Sequence, residues 1–239
     1  MLELVPPHLV LVSMPALLFL SAFAWAPLVA EPTRTVVKAL ESFRTEGPPG
    51  WSFTQHTLSE GKDLVERYDA GQPEFRRWNL VAQNGRLAKP EEIISYREGF
   101  ARQSRGGTAP RIARQIDTES MVLAAETPER STYQAKLKAG DPSDRTALFL
   151  RAILVWHKPT GVIESFTVES TGAFSPTVGV RIEFMQTTMA YTLPVDDRPS
   201  LLSSVRTRLR GRAFWLKSLD AEVNVTYSDY RRSVPLRKP

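Results

Sequence analysis

The run TVGVRIEFMQTTMAYTL at 177–193 is the part of the sequence that most constrains the fold, because its apolar residues recur with a two-residue period. These residues occupy even positions as far as Phe184 and odd positions from Met185 onward. The period of a strand cannot change phase without a bulge, a bend or a change of environment. We therefore predict one long strand that bends near 184–186, as strands do where a sheet curls.

Most of the remaining chain also has the alternation typical of strands, interrupted by turn signals such as Asn84-Gly85. Two segments instead have helical patterns: 34–43, whose apolar residues fall on one side, and 89–103, which has a proline and two glutamates near its start. No linker is long enough to divide residues 31–239 into two domains. We predict a single, mainly β (α+β) domain with an antiparallel sheet of about ten strands, two helices and a basic C-terminal tail.

Residues 1–30 have the features of a signal peptide. The run from Leu9 to Trp25 carries no charge, and small residues typical of a cleavage site lie at 22–30. We expect cleavage to release the mature protein into the periplasm. Two alternatives stay open: an uncleaved membrane anchor, since the run approaches the length of the shortest spanning helices, and a buried helix.

The sequence lacks the residues and motifs of the common catalytic and cofactor sites. It has no cysteine, which excludes disulfides, thiolate metal sites and cysteine nucleophiles. It has no nucleophile elbow, phosphate loop or dinucleotide fingerprint, and beyond the targeting segment its only histidines are His56 and His157. We expect no enzyme, no metal and no cofactor, and keep a hydrolase with an unrecognised site as a separate hypothesis. The formal charge of +5 is too mild to demand a nucleic-acid partner.

Charged residues crowd the stretch GKDLVERYDAGQPEFRRWNLVAQNGR at 61–86. Glu66, Arg67 and Asp69 fall within one predicted strand, so they point to alternating faces and cannot all converge on one substrate. We interpret them as cross-strand pairs on a solvated face of a hairpin, not as an active site.

A second charge pattern lies near the C-terminus, where arginine recurs at every second position. The strip consists of Arg206, Arg208, Arg210 and Arg212. Regular pairing puts these guanidinium groups on one face of a strand, where they could meet phosphate groups of lipids or an anionic partner. The alternative is a solvated face that Glu222 and other acidic neighbours balance.

Large apolar residues are spread over many of the predicted strands, and by default they form a core. They line a ligand cavity instead if the sheet curls without side chains that fill it. The cavity candidates are Trp51, Phe53, Trp78, Leu80, Phe166, Val168, Ile182 and Phe184.

Three parts of the chain resemble a known superfamily. The signal-like segment, the short helix and WSFTQHTL at 51–58 resemble the periplasmic lipoprotein carriers LolA and LolB and the related sensor domain of RseB. The hairpin Ile153–Val168 is similar to theirs as well, with an apolar strand, a polar turn containing glycine and an alternating strand. The closing stretch 205–231 resembles the end of uncharacterised exported proteins that also carry ERYD, RWNL and NGR. The resemblance spans most of residues 33–231.

This resemblance implies a half-open barrel in which helices form a lid over an apolar cavity for acyl chains. It leads us to expect a monomeric periplasmic protein that binds an acyl chain, a lipid or a lipoprotein and could carry it between membranes, with transient contact to an anionic membrane surface. The alternative is a periplasmic sensor or scaffold that docks a protein partner through a sheet edge or the arginine-rich strand.

Overall fold

The computed structural model describes residues 34–45, 48–103, 115–140, 145–214 and 216–233. The predicted signal peptide at 1–30 and most of the basic tail lie outside these residues. Within them, strands form one open, curved antiparallel sheet that does not close into a barrel. The predicted fold class is therefore confirmed, although the sheet has thirteen strands and not about ten.

The secondary structure follows the predicted order. The helices are α1 (Arg34–Ser42) and α2 (Pro90–Gln103), with short 3-10 helices at Glu74–Arg76 and Thr146–Phe149. The strands are β1 (Trp51–Ser59), β2 (Lys62–Tyr68), β3 (Trp78–Gln83), β4 (Arg86–Leu87), β5 (Ile116–Glu126), β6 (Arg130–Leu137), β7 (Leu150–His157), β8 (Val162–Ser170), β9 (Phe174–Thr177), β10 (Val180–Tyr191), β11 (Leu202–Ala213), β12 (Lys217–Ser218) and β13 (Ala221–Arg232). Across the described residues, no helix has the length and apolar character needed to cross a membrane.

The strand order across the sheet is β4-β3-β2-β1-β13-β11-β10-β8-β7-β6-β5, with β9 and β12 added beside β10 and β11. Neighbouring strands are mostly consecutive hairpins, which the turn signals of the sequence explain. The pairings of β8 with β10 and of β11 with β13 each skip one short strand, and the pairing of β1 with β13 joins the beginning of the sheet to its end. This pairing places the charged β1–β2 hairpin inside the sheet, because β3 pairs with the other edge of β2.

The predicted phase change in β10 is confirmed as a β-bulge. The register with β11 shifts between Ile182, which pairs with Gly211, and Phe184, which pairs with Arg210. Glu183 is therefore the extra residue of the bulge. Because directly paired residues share a face of the sheet, Phe184 lies on the arginine-bearing face, opposite to that of Met185.

The two faces of the sheet differ in what covers them. We call the face that carries Phe166 the inner face and the opposite one the outer face. The main hydrophobic core lies on the inner face, where Val36 and Leu40 of α1 are fully buried among residues of β6, β7 and β8. These helix positions are four residues apart, so both point to the sheet from one side of α1.

Candidate binding site

One row of side chains crosses the inner face from β7 to β2. The row consists of Leu154, Phe166, Met189, Val205, Val225, Thr57 and Leu64. Each member is paired with the next, so all of them share the inner face. The row is apolar from β7 to β13. Its first polar member is Thr57 on β1.

The β6–β8 half of this face is a packed core under α1. Phe166 is 0% exposed, and the ring of Phe43 lies 6.3 Å from it and 5.1 Å from the ring of Tyr191. The hydroxyl of Tyr191 donates a hydrogen bond to the carbonyl oxygen of Thr45 at 3.2 Å. An open cavity of about 460 Å³ lies beside the end of α1, with Phe43, Ile163 and Tyr191 in its lining. In this half, the helix fills much of the space that a ligand would need.

The β1–β3 half is covered by α2 through polar contacts. The hydroxyl of Tyr96 donates a hydrogen bond to Glu66 Oε1 at 2.5 Å. The side-chain amide of Gln55 donates to Glu66 Oε2 at 2.9 Å. Burial, and then the neighbouring Glu66, raise the pKa of the Tyr96 hydroxyl. Our interpretation of Glu66 as part of a solvated face is therefore wrong, because α2 packs against the face on which it lies.

A second contact joins α2 to the edge strand β4. Arg86 Nη2 lies 2.5 Å from Glu92 Oε1, and the backbone N–H of Lys89 donates to Glu92 Oε2 at 2.8 Å. These two donors, the guanidinium first, lower the pKa of Glu92 to about 2. A cavity of about 490 Å³ lies between this junction and the sheet, with Leu64, Leu80, Glu92 and Tyr96 among its lining residues.

An aromatic cluster occupies one end of the same half. The ring of Phe53 lies 4.9 Å from Tyr68, 5.8 Å from Trp78, 5.4 Å from Tyr227 and 5.5 Å from Tyr230, measured between centroids. Burial raises the pKa values of Tyr227 and Tyr230. The sequence pointed to Phe53 and Trp78 but not to the three tyrosines, although the alternation of β2 and β13 could have indicated Tyr68 and Tyr227.

The predicted cavity candidates do not converge on one site. Phe166 and Val168 belong to the core under α1 and its margin. Phe53, Trp78 and Leu80 lie in the β1–β3 half, where Trp78 pairs with Tyr68 and Leu80 with Glu66.

The three remaining candidates lie elsewhere. Trp51 pairs with Arg232 at one end of the β1–β13 ladder, and Ile182 is buried opposite Phe174 and Gly211. Phe184 lines an open outer cavity of about 670 Å³ together with Arg208 and Arg210. This placement of Phe184 corrects our prediction that it lines the same hollow as Phe166.

The arginine strip lies on the outer face, and acidic neighbours balance part of it. Arg206 Nη2 and Arg208 Nε lie 2.5 Å and 3.7 Å from the same oxygen of Glu222. These arginines, Arg206 before Arg208, lower the pKa of Glu222, and Asn224 contributes as well. Arg212 Nε lies 3.8 Å from Glu183. The ion pairs of Arg206 and Arg208 with Glu222 favour a solvated face over a dedicated phosphate site for this part of the strip.

The two histidines lie apart from these features. His56 Nε2 is 2.7 Å from Asp63 Oδ1, with both side chains well exposed, and His157 Nδ1 is 2.7 Å from the hydroxyl of Thr160. Among the described residues, no three His, Asp or Glu side chains come together in a way that could hold a metal ion.

Comparison with known proteins gives one structural neighbour. It is the crystal structure of a DUF1329 family protein from Desulfovibrio piger, with a TM-score of 0.38 and 8% sequence identity. The match covers 87% of this chain and 95% of that chain. No protein-family model matches the sequence, and no curated protein matches it significantly. The resemblance to the lipoprotein carriers therefore stays a prediction.

Proposed function

We propose that this chain is a non-enzymatic protein that binds an acyl chain or another apolar ligand on the inner face of its sheet. The observation that carries the proposal is a set of half-buried apolar residues on β10, β11 and β13, between the strands that α1 covers and those that α2 covers. The set consists of Met185, Met189, Val205, Leu209, Val223 and Val225.

The charged residues beside this set, Arg206, Arg208 and Glu222, lie on the outer face, because Arg206 pairs with Asn224 and Arg208 pairs with Glu222. On the inner face, the set is interrupted by Thr187 and Thr207, whose hydroxyl groups lie 3.1 Å apart and hydrogen-bond to each other. An acyl chain could therefore contact the middle strands without removing a charge from water, which would be costly.

Burial of apolar surface would supply the affinity for such a ligand. Each Å² removed from water contributes about 25 cal/mol before the cost of association is subtracted. The methionines suit a variable ligand, because their unbranched thioether side chains adapt to irregular shapes. Binding of this kind would require no catalytic group or cofactor.

The place of this binding activity would be the periplasm, if residues 1–30 direct export as the sequence predicts. An exported protein that shields an acyl chain from water could carry a lipid or a lipoprotein between membranes. In protein purified from a membrane-free periplasmic fraction, we expect an intact mass that corresponds to a start near Trp25, Pro27 or Glu31. Full-length protein found only in membranes would contradict export.

The same preparation tests the ligand. Organic extraction followed by mass spectrometry should release a co-purified lipid, and delipidated protein should bind a fluorescent fatty acid. Val225→Glu puts a carboxylate on the inner face and should abolish binding of the fatty acid, whereas Thr226→Glu places the same charge on the outer face and should leave it unchanged. Circular dichroism and urea unfolding establish that both variants fold.

Met189→Gln is a second inner-face variant, which keeps the length of the side chain and adds no charge. It should weaken binding by less than Val225→Glu does. Folded wild-type protein that neither releases lipid nor binds the fatty acid would refute the proposal, as would equal binding by the Val225 and Thr226 variants.

A further inference from the structure

Two turns meet at one end of the sheet and expose apolar side chains. The turn between β9 and β10 contains Val178 and Gly179, and the turn between β11 and β12 contains Phe214 and Leu216. The backbone N–H of Phe214 donates a hydrogen bond to the carbonyl oxygen of Gly179 at 2.6 Å, which joins the two turns. We call Val178, Phe214 and Leu216 the apolar tip.

The apolar tip is unusually exposed for side chains of this kind. Val178 is 94% exposed, Phe214 71% and Leu216 95%. Single exposed apolar residues are common on protein surfaces, but three on two joined turns form a patch, and such patches mark contact sites. Exposure of all three side chains to water is unfavourable. Contact with a less polar surface that covers them would therefore be favourable.

The backbone holds this arrangement in a strained form. Phe214 has a φ of 48°, in the left-handed region that bulky residues rarely adopt. Gly179 has a φ of 80°, and a Cβ atom at its position would lie 2.8 Å from the ring of Phe214. Strain of this kind persists at functional positions when the surroundings enforce it. The ring of Phe214 lies against the backbone of Gly179, where a larger residue would leave no room for it.

Basic residues surround the tip. Arg181 pairs directly with Arg212, and Lys217 pairs with the residue before Phe214, Ala213. All three basic side chains are exposed. Among the described residues, one acidic side chain pairs with this group, that of Glu183 at 3.8 Å from Arg212 Nε, so the rim of the tip keeps a net positive charge.

We propose that the apolar tip inserts into the headgroup region of an anionic lipid bilayer, while Arg181, Arg212 and Lys217 meet the lipid phosphates. Apolar side chains with cations beside them are the combination that binds such an interface, because burial and charge attraction act together. A second copy of the chain is a poor occupant, since it would bring two basic rims against each other. The proposal is independent of ligand binding on the inner face.

The test measures binding of the purified protein to phosphatidylcholine vesicles with and without phosphatidylglycerol. Wild-type protein should sediment with the anionic vesicles, and added salt should weaken this binding. The triple variant Val178→Ser, Phe214→Asn, Leu216→Ser should lower the affinity at least about tenfold, because most of the inserted apolar surface is lost. Asparagine is chosen at 214 because it tolerates the left-handed conformation.

The matched control replaces three exposed apolar residues near the β4 edge of the sheet with serine: Phe75, Leu87 and Ile94. It should bind as the wild type does. An equal loss in both triple variants, or an unchanged affinity in the tip variant, would overturn the proposal.

The absence of cysteine permits a direct measurement of insertion. An environment-sensitive fluorophore on Val178→Cys should shift to the blue with anionic vesicles and be quenched by brominated lipids, whereas the same label on Leu87→Cys should not respond. No shift at position 178, or an equal shift at both positions, would contradict insertion. An equal shift with vesicles that lack phosphatidylglycerol would refute the role of the basic rim.

Discussion

The two halves of the inner face each carry one helix, but different forces hold the two helices. Val36 and Leu40 of α1 are 0% exposed, and apolar contacts fix this helix over β6–β8. On α2, by contrast, Ile94 is 58% exposed, and the described contacts include the hydrogen bonds of Tyr96 with Glu66 and of Arg97 with Asn79, at 2.9 Å. The first helix covers a hydrophobic core, and the second is attached to its half of the sheet through a polar junction.

This difference indicates which part of the molecule can open. If α1 separated from the sheet, its apolar side chains would be exposed to water, which is unfavourable, whereas water can satisfy the hydrogen-bonding groups that α2 releases. Segments with few buried apolar contacts open locally at a lower free energy than the global unfolding of a protein. We therefore expect a ligand to reach the middle strands by displacement of α2, while α1 stays in place.

The largest expected effect comes from truncating an apolar side chain of α1. Leu40→Ala should lower the free energy of unfolding by about 2–4 kcal/mol, since it deletes fully buried methyl groups and leaves a cavity in the core that α1 covers. Urea unfolding followed by circular dichroism measures the change. The corresponding variant on α2, Ile93→Ala, truncates a half-buried side chain and should lower the free energy of unfolding by no more than about 1 kcal/mol. Similar losses of stability in both variants would contradict the contrast between the helices.

A smaller effect is expected when the hydroxyl of Tyr96 is removed. Tyr96→Phe deletes its hydrogen bond to Glu66 and should destabilise α2 locally by about 1 kcal/mol. Amide hydrogen exchange in α2 should become faster, while exchange in α1 stays the same.

Tyr191→Phe is the matched control, because it removes a hydroxyl from the half that α1 covers. Exchange in α1 should change little in this variant, since apolar packing holds that helix. If Tyr191→Phe accelerated exchange in α1 more than Tyr96→Phe accelerated exchange in α2, the contrast between the two helices would be contradicted.

Much of the fold was predictable because alternation and turn chemistry are local properties of the sequence. The bulge in β10 followed from the phase of its apolar residues, and it was confirmed. The face of Phe184 was predicted wrongly, because a phase change between Ile182 and Met185 fits with Phe184 on either side of the sheet. Only the pairing of Phe184 with Arg210 decides between the two.

The polar junction under α2 was not predictable in the same way. Alternation places Glu66 and Arg67 on opposite faces of β2, but it does not tell which face a later helix covers. Tyr96 is 30 residues from Glu66 in the chain, and their contact depends on how α2 packs on β3. A glutamate within a strand suggests a solvated face, and tertiary packing overrides that expectation here.

The smallest expected effect concerns the contact between α2 and β4, which depends on pH. The pKa of Glu92 is lowered from its ordinary value of 4.5 to about 2, chiefly by Arg86. The contact therefore stabilises the folded state above a pH of about 4.5 and is lost as the pH falls through about 2.

NMR titration of the Glu92 carboxyl carbon should give this low pKa in the wild type. Arg86→Gln should raise the pKa of Glu92 towards its ordinary value. Arg97→Gln, which removes an arginine from the helix that carries Glu92, should not. Because both partners are solvent-accessible, global stability at neutral pH should change little in Arg86→Gln, and only the first turn of α2 should exchange faster. A Glu92 that titrates in the ordinary range in the wild type, or that ignores the loss of Arg86, would show that this ion pair does not hold the start of α2.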